Sequence, residues 1–213
     1  MTSLDALVRL CPPPAERRAP VEWGAVERAL GTALPADYRQ LVDTYGDGVF
    51  DEAIWLLVPG SAHGDCDLLA QAAERDEILQ GLWEFEARPA GLEEAGARVL
   101  PWAYEEGTGA FLYWLVRPGR HPDEWTVLYN EGRGPLWEPH PTGCVPFLLA
   151  VLSGTAETAY FDYLHEDAEQ PEHHFTTADE AFGQPVPDCA RPQPAPGSLT
   201  GAGPVERPGT MAG

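Results

Sequence analysis

The sequence contains no lysine: every permanently cationic side chain is one of 13 arginines, set against 34 aspartates and glutamates. The formal net charge is −21 and the isoelectric point about 4.4. Such a field repels phosphate backbones and anionic membrane surfaces, so nucleic acid and membrane are excluded as expected partners, and it draws basic proteins in. Paired cysteines are also missing. Cys11, Cys66, Cys144 and Cys189 lie far apart with no CxxC, which excludes a zinc knuckle and a thioredoxin-type motif, and free thiols in a reducing cytoplasm are expected. No apolar run approaches the roughly 20 residues of a membrane span. The first ten residues run into Cys11-Pro12-Pro13-Pro14 without a basic start or an apolar stretch of signal-peptide length, so no leader is expected.

Catalytic signatures are equally scarce. There is no GxSxG, Walker A, HExxH or kinase set. Gly107-Thr108-Gly109 and Gly132-Arg133-Gly134 each fall between two extended runs, so they read as turns rather than phosphate loops. His63, Asp65 and Asp67 alternate with the spacing of metal ligands, but they precede a helix, where such residues cap it. His173-His174 and the Cys144/His140 pair carry no stronger signal. No catalytic residue, metal or cofactor is expected.

What is present is the material of a core. Hydrophobic residues make up 44% of the chain, with seven each of Trp, Tyr and Phe, and 213 residues suffice for one domain. Residues 1–20 read as an N-terminal extension carrying +1, residues 21–155 as the domain, 156–182 as an acidic arm and 183–213 as a disordered Pro/Gly-rich tail of zero net charge. Residues 21–182 therefore hold −22.

Along the domain, Trp23, Val26 and Leu30 share a helical face that stops at Gly31. Tyr38, Leu41, Val42 and Tyr45 come next at i, i+3, i+4, i+7, between Pro35 and Gly46. Val49-Phe50 and then Ile54 to Val58 read as strand, and about Cys66 to Phe85 as a third helix. Three extended runs, Arg98–Tyr104, Ala110–Val116 and Glu124–Tyr129, with a weaker one at Pro135–Glu138, are separated by glycine turns as in an antiparallel meander. A closing helix begins between Thr142 and Val145. The expected class is α+β, an antiparallel meander packed with an N-terminal helical hairpin and a C-terminal helix. Glu157–Glu180 holds eight acids and no arginine, and either packs back as a short helix or lies as an arm.

Trp23-to-Glu27, the segment Leu30-Gly31-x-x-Leu34-Pro35-x-Asp37-Tyr38, then Leu41 and Tyr45-Gly46-Asp47-Gly48, with a meander and a helix containing Phe147-Leu148-Leu149 after them, resemble the SUKH superfamily. That family includes the fungal Smi/Knr cell-wall regulators and many bacterial immunity proteins. The resemblance runs from about Val21 to Gly154; the arm and the tail fall outside it. It implies a compact α+β fold without catalytic residues and a cytoplasmic protein that binds and blocks a toxin domain, often a nuclease or deaminase. A regulatory or scaffold protein with an endogenous partner is the alternative. Nuclease domains tend to be basic because they approach phosphates, so an acidic domain suits them. The residues expected to meet a basic partner are the acids of the turns flanking the sheet, Asp47, Asp51, Glu52, Asp65, Asp67, Glu105 and Glu106; Trp55 reads either as a core residue or, beside Asp51 and Glu52, as an aromatic anchor for that partner.

Overall fold

A computed structural model describes residues 1–15, 19–132, 135–165 and 172–183. In chain order the elements are α1 (Ser3–Leu10), α2 (Trp23–Leu30), α3 (Ala36–Tyr45), β1 (Gly48–Phe50), β2 (Ile54–Leu56), α4 (Leu68–Leu82), β3 (Arg98–Glu105), β4 (Phe111–Val116), β5 (Thr126–Asn130), β6 (Trp137–His140), α5 (Cys144–Leu152), β7 (Phe175–Thr177) and α6 (Ala178–Phe182). The class is α+β. Seven strands form one sheet in the order β6-β5-β4-β3-β2-β1-β7, antiparallel throughout: a meander from β1 to β6, with β7 added beside β1.

Strand alternation divides the side chains between two faces. On one, Tyr38 of α3 meets Trp114 edge-on at 4.8 Å, Tyr45 packs on Phe50, and Phe147 of α5 lies against His140. Here α1, α3 and α5 cover the sheet. On the other, Val49, Trp55, Tyr104 and Phe111 are successive cross-strand partners, and α4 and α6 lie over them. The Arg75 guanidinium of α4 sits 4.6 Å above the Phe111 ring, and Phe182 of α6 stacks on Trp55 at 4.7 Å. In β3 the register slips between Pro101 and Ala103, so Trp102 is an extra residue. A bulge suits a proline, which has no N–H for the ladder. It turns Trp102 inward to stack on Trp114.

The helices are tied together by caps that cross between elements. Pro35 and Gly143, which precede α3 and α5, offer no capping side chain. Asp123 instead accepts the Ala36 N–H at 2.6 Å, and Asp37 of α3 accepts the Val145 N–H of α5 at 3.3 Å. A Cβ at Gly143 would lie 2.9 Å from the Asp37 carboxylate, so a larger residue there would push this cap aside. The neighbouring Tyr38 hydroxyl donates to the Leu57 carbonyl just beyond β2. Thus the Leu30–Tyr38 segment holds α3 to α5 and to the sheet.

Two segments that the sequence sets apart from the domain join this body. Residues 1–20, expected as an extension, contribute α1, whose Leu7 is fully buried; the adjoining Cys11 is buried too, and its carbonyl accepts the Tyr45 hydroxyl at 2.6 Å. Of the acidic arm, 172–182 packs back as strand β7 and helix α6. The strand expected from Val49 to Val58 is the hairpin β1–β2, turned at Asp51 and Glu52, both at positive φ. The tail from 184 onward, with Cys189, lies outside the described residues. No helix among the described residues is long and apolar enough to cross a membrane.

Replacing Asp37 with Ala removes the α5 cap and leaves a buried helix end without its acceptor. Urea titration is expected to show a loss of about 1–2 kcal/mol, with native far-UV circular dichroism retained in the absence of denaturant.

Candidate functional site

The eight residues expected to meet a partner separate into three groups. Asp51, Asp67, Glu105 and Asp47 serve the fold. Asp67 caps α4, accepting the Ala70 N–H at 2.8 Å and the Gly60 N–H at 2.7 Å. Asp51 accepts the His174 N–H at 2.8 Å and contacts His173 Nδ1 at 2.6 Å. Asp47 accepts the Ser61 hydroxyl at 2.6 Å. Glu105 is the clearest correction: it is not a loop acid facing solvent but is 4% exposed, and it accepts the hydroxyls of Tyr129 (2.6 Å), Tyr163 (2.8 Å) and Thr108 (3.2 Å). Trp55 is likewise corrected. It is 4% exposed, roofed by Phe182 and bonded through its indole N–H to Glu106. Glu52, Asp65 and Glu106 remain at the surface.

Asp65 and Glu106 converge on a groove of about 340 Å³ on the face covered by α4 and α6. Tyr104 and Phe111 of the sheet lie within it, Glu74 and Arg75 of α4 line one wall, and Phe182 closes an end. Sequence reading misses Glu74, because its helix gives no sign of which face it turns to the sheet. Arg75 is the only cation among the described residues lining the groove. It pairs with Glu74 at 2.9 Å while its guanidinium lies over Phe111, so Asp65 and Glu106 have no cation opposite them within the groove. Trp55 stacks nearly parallel to Tyr104, at 8° and 6.0 Å, and continues the aromatic row beneath Phe182, outside the groove's lining. Flat aromatic faces beneath carboxylates attract guanidinium and ammonium groups through both the ring quadrupole and charge.

A second, shallower cleft of about 580 Å³ lies on the opposite face, between Glu105, Tyr129, Tyr160, Tyr163 and Glu131. Both Glu105 oxygens already accept hydroxyl donors there. Burial and the Glu105 carboxylate push the Tyr129 and Tyr163 hydroxyls up, holding them protonated as donors.

The potential nucleophiles are shifted away from reactivity. Burial pushes the Cys11 thiol up to about 12 and Cys66 to about 11, the latter despite a contact from Tyr104. Cys144 is raised well above its ordinary range by burial and by the nearby Asp37. A thiolate is the reactive form, so all three described cysteines are held inert. His63, read beside Asp65 and Asp67 as a possible ligand, contacts Asp179 at 3.1 Å instead. Gly107–Gly109 forms the β3–β4 turn; the other GxG lies partly outside the described residues.

No family model matches the chain, and neither a curated protein nor a solved structure matches it.

The buried hydroxyls and thiols set an alkaline limit on stability. Tyr38, Tyr45, Tyr104, Tyr113 and Tyr129 are all raised in the fold from an ordinary 10.0, and Cys11 and Cys66 from 9.0. The native state keeps these protons after the unfolded chain has lost them, so this contribution is complete below pH 9 and is lost progressively above it, most steeply beyond pH 10. Most of the tyrosinate absorbance at 295 nm should therefore appear together with unfolding; full tyrosinate absorbance in a still-folded chain would contradict it.

Proposed function

We propose that the protein is a non-catalytic binding domain of the SUKH type, a cytoplasmic immunity protein that neutralises a basic toxin domain, such as a nuclease or deaminase, by direct contact. The observation that carries this reading is the groove of Asp65, Glu74, Glu106, Tyr104 and Phe111, where three carboxylates face the single charge of Arg75. Aromatic surface ringed by uncompensated charge suits a basic partner: the rings supply contact area, and the carboxylates supply steering and register. The −22 carried by residues 21–182 extends that attraction beyond the groove.

The resemblance of Leu30–Tyr38 and Tyr45–Gly48 to the family supports the immunity role, and the saturated Glu105 and inert thiols fit a domain that binds rather than reacts. Asp37, Tyr38 and Tyr45 belong to the scaffold in this reading. The contacts to the toxin come from less distinctive surface residues.

The test is co-purification with, and rescue of cells from, the product of a neighbouring open reading frame. Binding should weaken at least tenfold between 50 and 500 mM salt, because exposed charges are screened. Asp65→Asn and Glu106→Gln should each cost about 1 kcal/mol, chiefly in association rate. Binding indifferent to salt and to both substitutions would remove the groove from the interface. A partner that is an ordinary cellular protein would replace the toxin assignment with that of a regulatory scaffold.

A further inference from the structure

Residues 172–183 form a strap with its own receptor. Among the described residues, β7 pairs only with β1, by Gly48↔Thr177, Val49↔Thr176 and Phe50↔Phe175. The receiving surface is the Tyr45-Gly46-Asp47-Gly48 motif together with the rest of β1. Phe175 enters between Tyr45 (5.1 Å) and Phe50 (4.8 Å), and the Asp47 carbonyl accepts the Ala178 N–H at 3.0 Å. Gly48 is shaped for the strap. A Cβ there would stand 2.3 Å from the Thr176 carbonyl oxygen and 2.5 Å from the Phe175 ring. Ala178 is buried against Val49, Trp55 and Cys66, and Phe182 stacks on Trp55. The strap is thus read at three sockets, by an aromatic, a small residue three positions on and a second aromatic four further, with strand pairing fixing the register.

We propose that this surface is a segment-binding site, occupied in cis by 172–183 and able to take a partner segment of the same spacing by strand addition. The strap brings Glu172, Asp179 and Glu180 and no arginine to a surface bearing Asp51, Glu52, Asp65 and Glu106. It meets Asp51 and Glu52 with histidines, His173 at 2.6 Å from Asp51 and the half-exposed His174 at 3.5 Å from Asp51 and 3.9 Å from Glu52, rings that are charged only when protonated, while its Asp179 meets His63 at 3.1 Å. Its hold is also uneven, with the three β7 residues only partly buried and Phe182 49% exposed. The matching partner segment keeps the aromatic, small and aromatic positions and carries a permanent cation where the strap has His174, opposite Asp51 and Glu52. This site stands whether or not the groove binds a toxin.

The experiment uses the full-length chain carrying Phe175→Asp, which frees the first socket, and two fluorescent peptides: residues 172–183 as they stand, and the same peptide with arginine in place of His174. The basic peptide should bind the variant more tightly than the native peptide does. It should bind wild type at least about tenfold more weakly than the variant, because the resident strap leaves few sites open. Adding Gly48→Ala to the variant should abolish binding. Failure of both peptides to bind a folded variant, or binding that survives Gly48→Ala, overturns the proposal. If Phe175→Asp prevents folding, amide exchange of the wild-type chain decides: exchange at Thr176 and Thr177 at least about a hundredfold faster than at Tyr113 and Trp114 supports an exchangeable strap, and equal protection overturns it.

Discussion

The Asp37 carboxylate stands between two helices that could not otherwise be joined so closely. It is carried by the first turn of α3 and accepts a backbone N–H at the start of α5, while the start of α3 is capped in turn by Asp123 from the loop after β4. Each helix is thus terminated by a residue of a different element, and neither end is complete until the chain has closed from residue 36 to residue 145. Tyr38, next in sequence, extends the same lock to the sheet through Leu57 and Trp114. An orphan helix N-terminus in a covered interface costs more than a single surface hydrogen bond returns. The geometry of the helical layer therefore depends on one side chain and the glycine that makes room for it.

With that layer fixed on one face, the other face is left to α4 and the C-terminal strap, which cover it incompletely. The acids sort accordingly. Those beside helix starts, turns and buried hydroxyls, Asp37, Asp67, Asp51 and Glu105, have donors to hold them and are part of the structure. Asp65, Glu74 and Glu106 lie at the border of the incompletely covered face. An acidic composition by itself is a statement about solubility and steering. It becomes a recognition feature only where carboxylates outnumber the cations beside aromatic rings, and in the groove Asp65, Glu74 and Glu106 share the single charge of Arg75.

The elements legible in the sequence are the punctuated ones. Gly31, Pro35 and Gly46 bracket two helices with clear apolar periodicity, and glycine turns separate the meander strands, so local chemistry and tertiary packing agree. Helix α1 also carries a local signal, though a short one beside a proline run: Thr2 and Asp5 form a reciprocal capping box, and Leu4, Leu7 and Val8 share a face. β7 has almost none. It is three residues long with one apolar side chain, and it exists because Gly48 and Tyr45, far earlier in the chain, supply its partner surface. The site is harder still. Acids in turns are expected to face solvent, but β3 continues to Glu105, and alternation along the strand turns it toward Tyr129 and Tyr163 while leaving Glu106 outside. Trp55 reads as either core or anchor until Phe182 is placed on it, which decides for burial.

Groove and strap share Phe182, and this links the two surfaces physically. Phe175 is held between Tyr45 and Phe50 and backed by strand pairing, whereas Phe182 is half exposed at the end of a five-residue helix and rests on Trp55 and His63 alone among the aromatic rings. Short helices fray at their ends, so α6 can loosen while β7 stays paired. Loosening there lengthens the groove toward Trp55 without disturbing the sheet, and places an additional indole face beside Glu106. Whatever engages Asp65, Glu74 and Glu106 therefore meets Phe182 beside them, and a segment that replaces the whole strap fills the place on Trp55 with its own aromatic.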